Sequence, residues 1–333
     1  MQDLRTQFFT RDGVVRAVDG ISFDVRRGET VGVVGESGSG KSVTALSVMG
    51  LLPRRNARVT GGNIMFEGRD LTALDDAAMR AFRGGELAMI FQEPMTSLNP
   101  VLKIGYQLVE ALKVHRRLSR MQARRHALAM LELVRLPDPE RRLDQYPFEL
   151  SGGMRQRVMI AMALSCDPKL LIADEATTAL DVTVQAQILA LVRDLKQRLG
   201  MAVIMITHDL GVVAETADRV VVMYAGKVVE RAAVKPLFRQ PLHPYTRGLL
   251  GSIPRLPQPG HDPGEERAPL EELEGFVPSL RDPPGGCRFA PRCSFATSRC
   301  RAEEPPLLEV QPGRFTACFH WDALAAAPDV RHG

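Results

Sequence analysis

The stretch Gly35-Glu36-Ser37-Gly38-Ser39-Gly40-Lys41-Ser42 decides the fold, because it fits the pattern G-x-x-x-x-G-K-[ST] at every position. It follows an apolar run, Thr30–Val34, that predicts a strand, and it precedes a helical pattern over Val43–Gly50. Glycines let backbone N–H groups curl around phosphate oxygens, and the start of a helix adds partial positive charge. We therefore predict a nucleotide site in which Lys41 reaches the β- and γ-phosphates and the Ser42 hydroxyl binds Mg²⁺.

A second apolar stretch, Lys169–Ala173, ends in two acidic residues, Asp174 and Glu175. A strand edge facing the phosphate loop would let Asp174 hold Mg²⁺ and let Glu175 activate the attacking water as a general base. Taken alone, such an acid pair is explained equally well by the N-terminal cap of a following helix. His208 ends the strand pattern that begins at Ala202, and a lone histidine there is more often structural. Because it lies on a neighbouring element of the same predicted sheet, we interpret it as a contact to the γ-phosphate.

The pattern around these motifs predicts an α/β fold. Up to about residue 240, short β-branched runs alternate with helical patterns, which is typical of a parallel sheet with crossover helices. The region of about 94–165 is rich in helical patterns, and we interpret it as a helical subdomain inserted in this core. Prolines, glycines and acidic residues dominate Pro254–Pro284, which indicates a linker. We thus predict a nucleotide-binding domain over 1–240 and a small, irregular C-terminal extension over 241–333.

The sequence Leu150-Ser-Gly-Gly-Met-Arg-Gln156 separates this chain from other phosphate-loop proteins. It resembles the signature motif of ABC ATPases, and the other motifs of that family follow in the same order over residues 1–240. The resemblance implies a P-loop NTPase core of the ABC type. It also implies that ATP joins two such domains head to tail, because the helix starting at Ser151 meets the γ-phosphate bound by the opposite subunit. Exposed N–H groups beside two glycines are a physical basis for this second anion site.

Further residues take family roles through the same resemblance. Gln92 looks like the glutamine of the Q-loop, which senses the γ-phosphate. The run Ala179-Leu-Asp181 looks like the D-loop, and His208 looks like the switch histidine. Phe8 lies where the family places an aromatic ring that stacks on adenine, with Phe9 as the alternative.

The implied site can therefore be stated residue by residue. The ATP-binding residues are Phe8, Gly35, Glu36, Ser37, Gly38, Ser39, Gly40, Lys41, Ser42 and Val43. The catalytic residues are Glu175, His208 and Gln92, and the Mg²⁺ ligands are Ser42, Gln92 and Asp174. The residues offered to the opposite subunit's ATP are Ser151, Gly152, Gly153 and Gln156, with Asp181 in the D-loop. One position departs from the family: Ala176 replaces the usual proline, which we expect to loosen the turn with little effect on hydrolysis.

Longer stretches narrow the resemblance to the ATPase subunits of dipeptide and oligopeptide permeases. The stretches that carry this resemblance are spread over nearly the whole chain. They are Phe91–Pro100, Asp174–Gln187, His243–Thr246, Gly286–Cys293 and Cys300–Pro305. The resemblance implies ATP-driven import together with a second, related ATPase subunit, two transmembrane permease subunits and a periplasmic or extracellular peptide-binding protein. Because the ATPase does not touch the cargo, nickel or a peptide antibiotic stays an alternative to peptides.

Four cysteines, Cys287, Cys293, Cys300 and Cys318, crowd the C-terminal part of the chain. A cytosolic protein seldom keeps structural disulfides, so such a cluster favours a metal. Structural zinc usually shows a tight C-x₂₋₄-C pair, which the sequence lacks, while four thiolates also suit an iron–sulfur cluster. Zinc and free or oxidised thiols stay open on the residues alone, and the permease resemblance implies [4Fe–4S].

The composition is that of a globular protein, with 45% hydrophobic and 25% charged residues and no run long enough to cross a bilayer. A net charge of +4 is too small to favour nucleic acid as a partner. The N-terminus lacks the apolar segment of a signal peptide, so we expect a cytosolic protein. The permease resemblance implies that it docks as a peripheral protein on the cytoplasmic face of the cell (inner) membrane. Two other classes stay open. One is a non-transport ABC ATPase of DNA repair or translation, and the other is a subunit that binds ATP but scarcely hydrolyses it.

Overall fold

The structure, a computed structural model, describes residues 1–91, 97–176, 181–252 and 273–326. The strands in these ranges are β1 (Gln2–Thr10), β2 (Gly13–Ile21), β3 (Thr30–Val34), β4 (Ala57–Asn63), β5 (Met65–Phe66), β6 (Arg69–Asp70), β7 (Leu87–Ile90), β8 (Leu170–Asp174), β9 (Ala202–Ile206), β10 (Arg219–Tyr224), β11 (Lys227–Ala233), β12 (Leu308–Gln311) and β13 (Arg314–Thr316). The α-helices are α1 (Lys41–Met49), α2 (Asp76–Phe82), α3 (Ile104–Arg116), α4 (Arg120–Leu133), α5 (Pro139–Leu143), α6 (Gly152–Leu164), α7 (Val182–Leu199), α8 (Leu210–Thr216), α9 (Val234–Arg239), α10 (Pro244–Gly251), α11 (Ser298–Ala302) and α12 (Trp321–Ala325).

The main sheet has eight strands in the order β12-β13-β11-β10-β3-β9-β8-β7. Neighbouring strands from β10 to β7 run parallel, and β11, β13 and β12 add antiparallel pairs at the β10 side. Every residue of β3, β8 and β9 is buried, as is typical of parallel strands covered on both faces. Their parallel direction brings the phosphate loop, the acid pair and His208 to one edge of the sheet. The predicted α/β class is confirmed.

A separate antiparallel sheet, in the order β2-β1-β4, lies beside the phosphate loop. Leu4, Val18 and Ile21 of this sheet are buried in one core cluster with Val31 of β3 and Ala45 of α1. Burial of such side chains is the main force that holds sheets and helices together. Apolar packing thus fixes the three-stranded sheet against the strand and helix that flank the loop.

Helices α3 to α6 lie in the chain between β7 and β8. Leu108, Leu131 and Ile160 come from α3, α4 and α6 and are fully buried in one core cluster. Ser119 and Gln122 form a reciprocal cap at the start of α4, which satisfies two backbone N–H groups. The limits of the helical subdomain, and the division at residue 240, stay predictions.

In the described parts of the chain, every helix is too short or too polar to cross a bilayer.

The C-terminal extension is more regular than the sequence predicted. Strand β13 pairs with β11, with Glu230 opposite Thr316, and β12 pairs with β13, so the tail extends the main sheet. Helices α11 and α12 also belong to the tail. The prolines that indicated irregular structure fall outside these four elements, and strands this short give no readable sequence pattern. Of the predicted linker, Pro254–Pro284, the part before residue 273 lies outside the described residues.

Candidate functional site

The phosphate loop connects β3 to α1 and holds Lys41 in the protein interior. Lys41 Nζ donates hydrogen bonds to the carbonyl oxygens of Gly35 (2.7 Å) and Glu36 (2.9 Å), and only 5% of the residue is exposed. Burial lowers the pKa of this ammonium group, while the carboxylates of Glu175 and Asp174 act in the opposite direction. The loop thus presents a buried cation at the start of a helix, an arrangement suited to binding phosphate.

Two glycines of the loop are required by close contact with neighbouring backbone. Gly35 has a φ of 147° and Gly40 a φ of 100°. A Cβ atom at Gly35 would lie 2.1 Å from the carbonyl oxygen of Met223, and one at Gly40 would lie 2.4 Å from that of Ala17. Neither position accepts a side chain, so these glycines let the loop pack tightly against β10 and β2.

Ser42 and Asp174 join the phosphate loop to the end of β8. Ser42 Oγ donates a hydrogen bond to Asp174 Oδ1 at 3.0 Å. Burial raises the pKa of Asp174, and the Glu175 carboxylate adds to this effect, although Ser42 and Lys41 oppose it. A hydroxyl and a carboxylate this close are the kind of oxygen donors that Mg²⁺ prefers, so the pair fits that ion. Gln92, the third predicted ligand, lies outside the described residues.

Glu175 and His208 meet at the same edge of the sheet. His208 Nδ1 lies 3.5 Å from Glu175 Oε1, and the histidine side chain is 62% exposed against 17% for the glutamate. The Glu175 backbone has a φ of 48°, and its N–H donates to the carbonyl of Ile206 at 2.9 Å. A left-handed conformation in a residue other than glycine is backbone strain of the kind found at functional sites. The structure therefore gathers this pair and the Ser42–Asp174 pair beside the loop.

The signature motif forms the start of helix α6. Ser151 caps the helix, with its Oγ accepting the N–H of Met154 at 3.4 Å. Gly152 faces open space, since no described atom beyond its own helix and chain neighbours lies within 4 Å of an added Cβ. Gln156 is buried, and its Nε2 donates to the carbonyl of Ala176 at 2.6 Å. The signature helix is therefore hydrogen-bonded to Ala176, the residue that follows Glu175.

The D-loop aspartate lies at the start of α7, and the second signature glycine, Gly153 of α6, packs against that helix. Asp181 caps this helix, with its Oδ1 accepting the N–H of Val184 at 2.9 Å. An added Cβ at Gly153 would lie 3.0 Å from a methyl carbon of Val184, so this glycine lets the two helices approach closely. The D-loop residues 179–180 lie outside the described residues.

The two candidate adenine-stacking rings belong to consecutive residues of β1. Phe8 is half-buried and sits opposite Val15 of β2 and Ala57 of β4. Phe9 is 36% exposed, and the Arg58 guanidinium lies 4.4 Å from its ring centre. A ring already covered by a cation has less free face for a base, so Phe8 remains the first candidate for stacking and Phe9 the alternative.

The four tail cysteines line one small cavity, together with His243, Phe289, Phe319 and His320. Cys300 Sγ lies 3.4 Å from His320 Nε2, and Cys318 Sγ accepts the N–H of His320 at 3.4 Å. Burial raises the pKa of Cys287 and Cys293, and it raises that of Cys318 to about 12. Within the described ranges, no three histidine, cysteine or acidic side chains are arranged to hold a metal ion. The donor set fits an iron–sulfur cluster by its chemistry, but its present geometry does not form a metal site.

Two tail residues that no motif singled out touch the phosphate loop. Arg292 pairs with the Glu36 carboxylate, and the Tyr245 hydroxyl accepts the Glu36 N–H. In the sequence they stand only inside the stretches His243–Thr246 and Gly286–Cys293, whose likeness to permease ATPases says nothing about the loop. No local pattern could have assigned them to the site.

Two family profiles match the chain. The profile described as ABC transporter covers residues 18–178, and the one described as Oligopeptide/dipeptide transporter, C-terminal region, covers residues 229–300. The first range contains the phosphate loop, the acid pair and the signature motif. The second contains three of the four tail cysteines.

Known relatives match over nearly the full length. A probable peptide ABC transporter ATP-binding protein of Sinorhizobium fredii is 56% identical over 96% of this chain and 93% of the relative. The oligopeptide transport ATP-binding protein OppD of Salmonella typhimurium is 50% identical over 96% of this chain and 92% of the relative. Among solved structures, the dimeric ATP-binding cassette MJ0796 bound to ADP and Pi has a TM-score of 0.63 at 27% identity, covering 70% of this chain and 97% of that one. The chain therefore belongs to the ABC transporter family, in the group of peptide-transport ATP-binding proteins, and is an ATPase subunit.

Proposed function

We propose that this chain hydrolyses ATP to power the import of dipeptides or oligopeptides. The observation that carries the proposal is the meeting of the phosphate loop, the Ser42–Asp174 pair and the Glu175–His208 pair at one edge of the sheet. The choice of cargo rests on relatives named for peptide, dipeptide and oligopeptide transport that match along nearly the whole chain.

Binding of ATP uses the loop and the residues around it. Lys41 exchanges its carbonyl partners for oxygens of the β- and γ-phosphates, and the loop N–H groups bind the remaining oxygens. Ser42 and Asp174, with Gln92, would hold Mg²⁺, which neutralises charge on the phosphate oxygens. Phe8 stacks on the adenine ring. This assignment explains why a lysine is buried at the start of α1, where its desolvation would otherwise be costly.

Hydrolysis uses Glu175 as the general base. The carboxylate accepts a proton from the attacking water while the new bond to the γ-phosphorus forms and the bond to the bridging oxygen breaks, releasing ADP and phosphate. His208, 3.5 Å from this carboxylate, contacts the γ-phosphate and helps to place the water between them. The strained turn at Glu175 keeps the base fixed at the strand end.

A complete site requires a second ATPase subunit, which we propose to be a related chain. Ser151, Gly152 and Gly153 open α6 and would meet the γ-phosphate held by that partner, with Gln156 and Asp181 beside them. The exposed start of α6 supports this role, and so does the dimeric form of the similar cassette MJ0796. One chain supplies half of each of two sites, so closure of the pair is coupled to ATP binding.

The rest of the assembly consists, in this proposal, of two transmembrane permease subunits and an external peptide-binding protein. The chain is then a peripheral subunit on the cytoplasmic face of the membrane. Residues 1–240 form the nucleotide-binding domain, with the helical subdomain of about 94–165 inserted in it. Residues 241–333 form the extension that carries the cysteines. The names of the relatives support a transporter subunit.

The four cysteines are proposed to hold a [4Fe–4S] cluster. Their convergence on one cavity supports this assignment, and the small tail would gain stability from such a staple. Iron and sulfide analysis of the anaerobically purified chain tests it, with about four irons per chain expected. Cys293→Ser should lower the iron content, whereas Cys166→Ser, outside the cavity, should not. Bound zinc, or no metal at all, would contradict the cluster.

Replacement of the proposed base tests the function itself. In the complete transporter reconstituted in lipid vesicles, we expect Glu175→Gln to lower peptide-stimulated ATP hydrolysis by about 100-fold or more, because glutamine cannot accept the proton. The matched control is Glu215→Gln, since Glu215 is 66% exposed and pairs with Arg193 on the surface. An unchanged rate in Glu175→Gln would refute the base assignment. Hydrolysis that no peptide stimulates would refute the cargo.

A further inference from the structure

A short turn of the tail, residues 290–292, places Arg292 against the phosphate loop. Arg292 Nη1 donates to Glu36 Oε2 at 2.7 Å, and its Nη2 donates to Glu36 Oε1 at 3.0 Å. Two parallel hydrogen bonds between a guanidinium and a carboxylate make a strong and specific ion pair. The Arg292 side chain is 5% exposed and the Glu36 side chain 27%, so water screens this pair little. Because Glu36 is the second residue of the loop, the ion pair ties the tail to the nucleotide site.

Arg292 is also oriented by its other neighbours. Its Nε donates to the carbonyl of Glu274 and its Nη2 to that of Leu273, both at 2.9 Å. The rings of Tyr224 and Phe289 lie 5.8 Å and 5.9 Å from the guanidinium, within reach of a cation–π attraction. The guanidinium is therefore held in position independently of the loop. Such preorganisation makes it a firm anchor for whatever it binds.

Tyr245 holds the same loop residue from its backbone side. Its hydroxyl accepts the Glu36 N–H at 2.8 Å. The Tyr245 ring is fully buried, with centroid distances of 4.6 Å to Tyr224 and 5.4 Å to Phe289. The carbonyl of Glu36 accepts a hydrogen bond from Lys41 Nζ at 2.9 Å. A continuous set of contacts therefore runs from the tail, through Glu36, to the lysine that is proposed to bind phosphate.

We propose that Arg292 and Tyr245 are positioning residues of the ATP site, which fix the phosphate loop and neutralise the Glu36 carboxylate. A carboxylate left unpaired in this loop would repel the phosphates of ATP, and partial burial strengthens that repulsion. The proposal rests on the ATP site proposed above. It extends that site to a part of the tail that none of the nucleotide motifs includes.

The expected result is a change in ATP affinity without a matching change in turnover. With the full-length chain, we expect Arg292→Gln to weaken equilibrium binding of ATP with Mg²⁺ about tenfold, the scale of one charge-assisted hydrogen bond. In the complete transporter the KM for ATP should rise by a similar factor, with kcat unchanged to within about twofold. Tyr245→Phe removes only the hydroxyl, and we expect it to raise the KM about threefold.

A rescue experiment separates the charge effect from general damage to the fold. The double variant Glu36→Gln with Arg292→Gln has no unpaired carboxylate, so it should bind ATP at least about threefold more tightly than Arg292→Gln alone. Arg299→Gln is the matched control, because Arg299 pairs with Glu303 on the tail surface. The Arg299→Gln variant should bind ATP normally. Equal binding by the single and the double variant would overturn the proposal.

The two proposals fail in different ways. Lys41→Ala should abolish ATP binding, and normal binding by that variant would refute the proposed ATP site itself. Loss of binding in Lys41→Ala together with an unchanged KM in Arg292→Gln would refute only the positioning role. If Arg292→Gln does not fold, Tyr245→Phe decides, because an unchanged KM in that conservative variant also overturns the role of the tail.

Discussion

At the scale of single residues, His243 lies buried at the start of α10, with 1% of its surface exposed. The His243 ring nitrogen Nδ1 accepts the backbone N–H of Tyr245 at 3.1 Å. The backbone N–H of His243 donates to the Glu230 carboxylate at 3.0 Å. Burial lowers the pKa of the imidazole to about 3, so His243 is neutral in the folded chain at neutral pH. Burial raises the pKa of Glu230 to about 7. Two neighbouring groups therefore make stability depend on pH in opposite directions.

Acid should destabilise the chain through His243. Its folded-state pKa lies below the ordinary value of 6.5, so its contribution is present above pH 6.5 and is lost as the pH falls toward 3. Between about pH 7.5 and about pH 5 this loss amounts to about 2 kcal/mol. The contribution of Glu230 has the other sign, because it is present below 4.5 and lost as the pH rises toward 7. The two effects partly cancel in the wild type.

The variant His243→Asn isolates the histidine, because asparagine keeps an acceptor for the helix N–H but does not titrate. We expect urea unfolding to show that, as the pH is lowered from about 7.5 to about 5, the free energy of unfolding of the wild type falls by about 2 kcal/mol relative to that of this variant. Parallel pH profiles for the two proteins would contradict a buried, neutral His243.

At the scale of elements, aromatic rings fasten the segment around Phe289 to β10 and α10. Phe289 is 3% exposed, and its ring centre lies 5.2 Å from that of Tyr224, 5.4 Å from that of Tyr245 and 5.8 Å from that of His243. Burial of a ring this size among other rings contributes through both area and geometry. The turn at residues 290–292 depends on this packing for its position next to the loop.

Removal of that ring should destabilise the chain strongly. We expect Phe289→Ala to lower the free energy of unfolding by about 3–5 kcal/mol, because the cavity cannot close fully. Phe276→Ala is the matched control from the same tail, since Phe276 is 93% exposed, and its effect should stay within about 0.5 kcal/mol. Chemical denaturation of the two variants measures the difference. Equal losses would mean that the tail does not pack on β10 as the structure shows.

At the scale of the whole molecule, the tail is joined to the nucleotide core at several separate places. Arg288 pairs with Asp19 of β2 and donates to the carbonyl of Ala225, in the turn between β10 and β11. The Lys227 ammonium lies 2.7 Å from the Glu304 carboxylate. Strands β12 and β13 add main-chain pairing at the edge of β11. The turn that holds Ala225 also contacts the phosphate loop, because the Gly226 N–H donates to the carbonyl of Ser39 at 2.9 Å.

The sequence predicted the α/β core and most of the proposed ATP site. Phosphate binding needs glycines, a lysine and a hydroxyl within eight consecutive residues, and such a motif is readable because its groups are neighbours in the chain. The apolar strands before Asp174 and His208 predicted one shared sheet edge, since parallel strands end on the same side. These local patterns alone are enough to predict that the phosphate loop after β3, Asp174 at the end of β8 and His208 after β9 lie close together.

Only the tertiary structure decided how the tail meets this core. Glu36 and Arg292 are separated by 256 positions, and the local pattern around Arg292 does not distinguish it from other tail arginines. Strands β12 and β13 are likewise too short to be recognised before their partner β11 is known. Local sequence specifies propensities and motifs, whereas contacts between distant segments depend on how the complete core packs. For this reason the phosphate loop could be predicted from its own residues, whereas Arg292 and Tyr245, which hold it in place, could not.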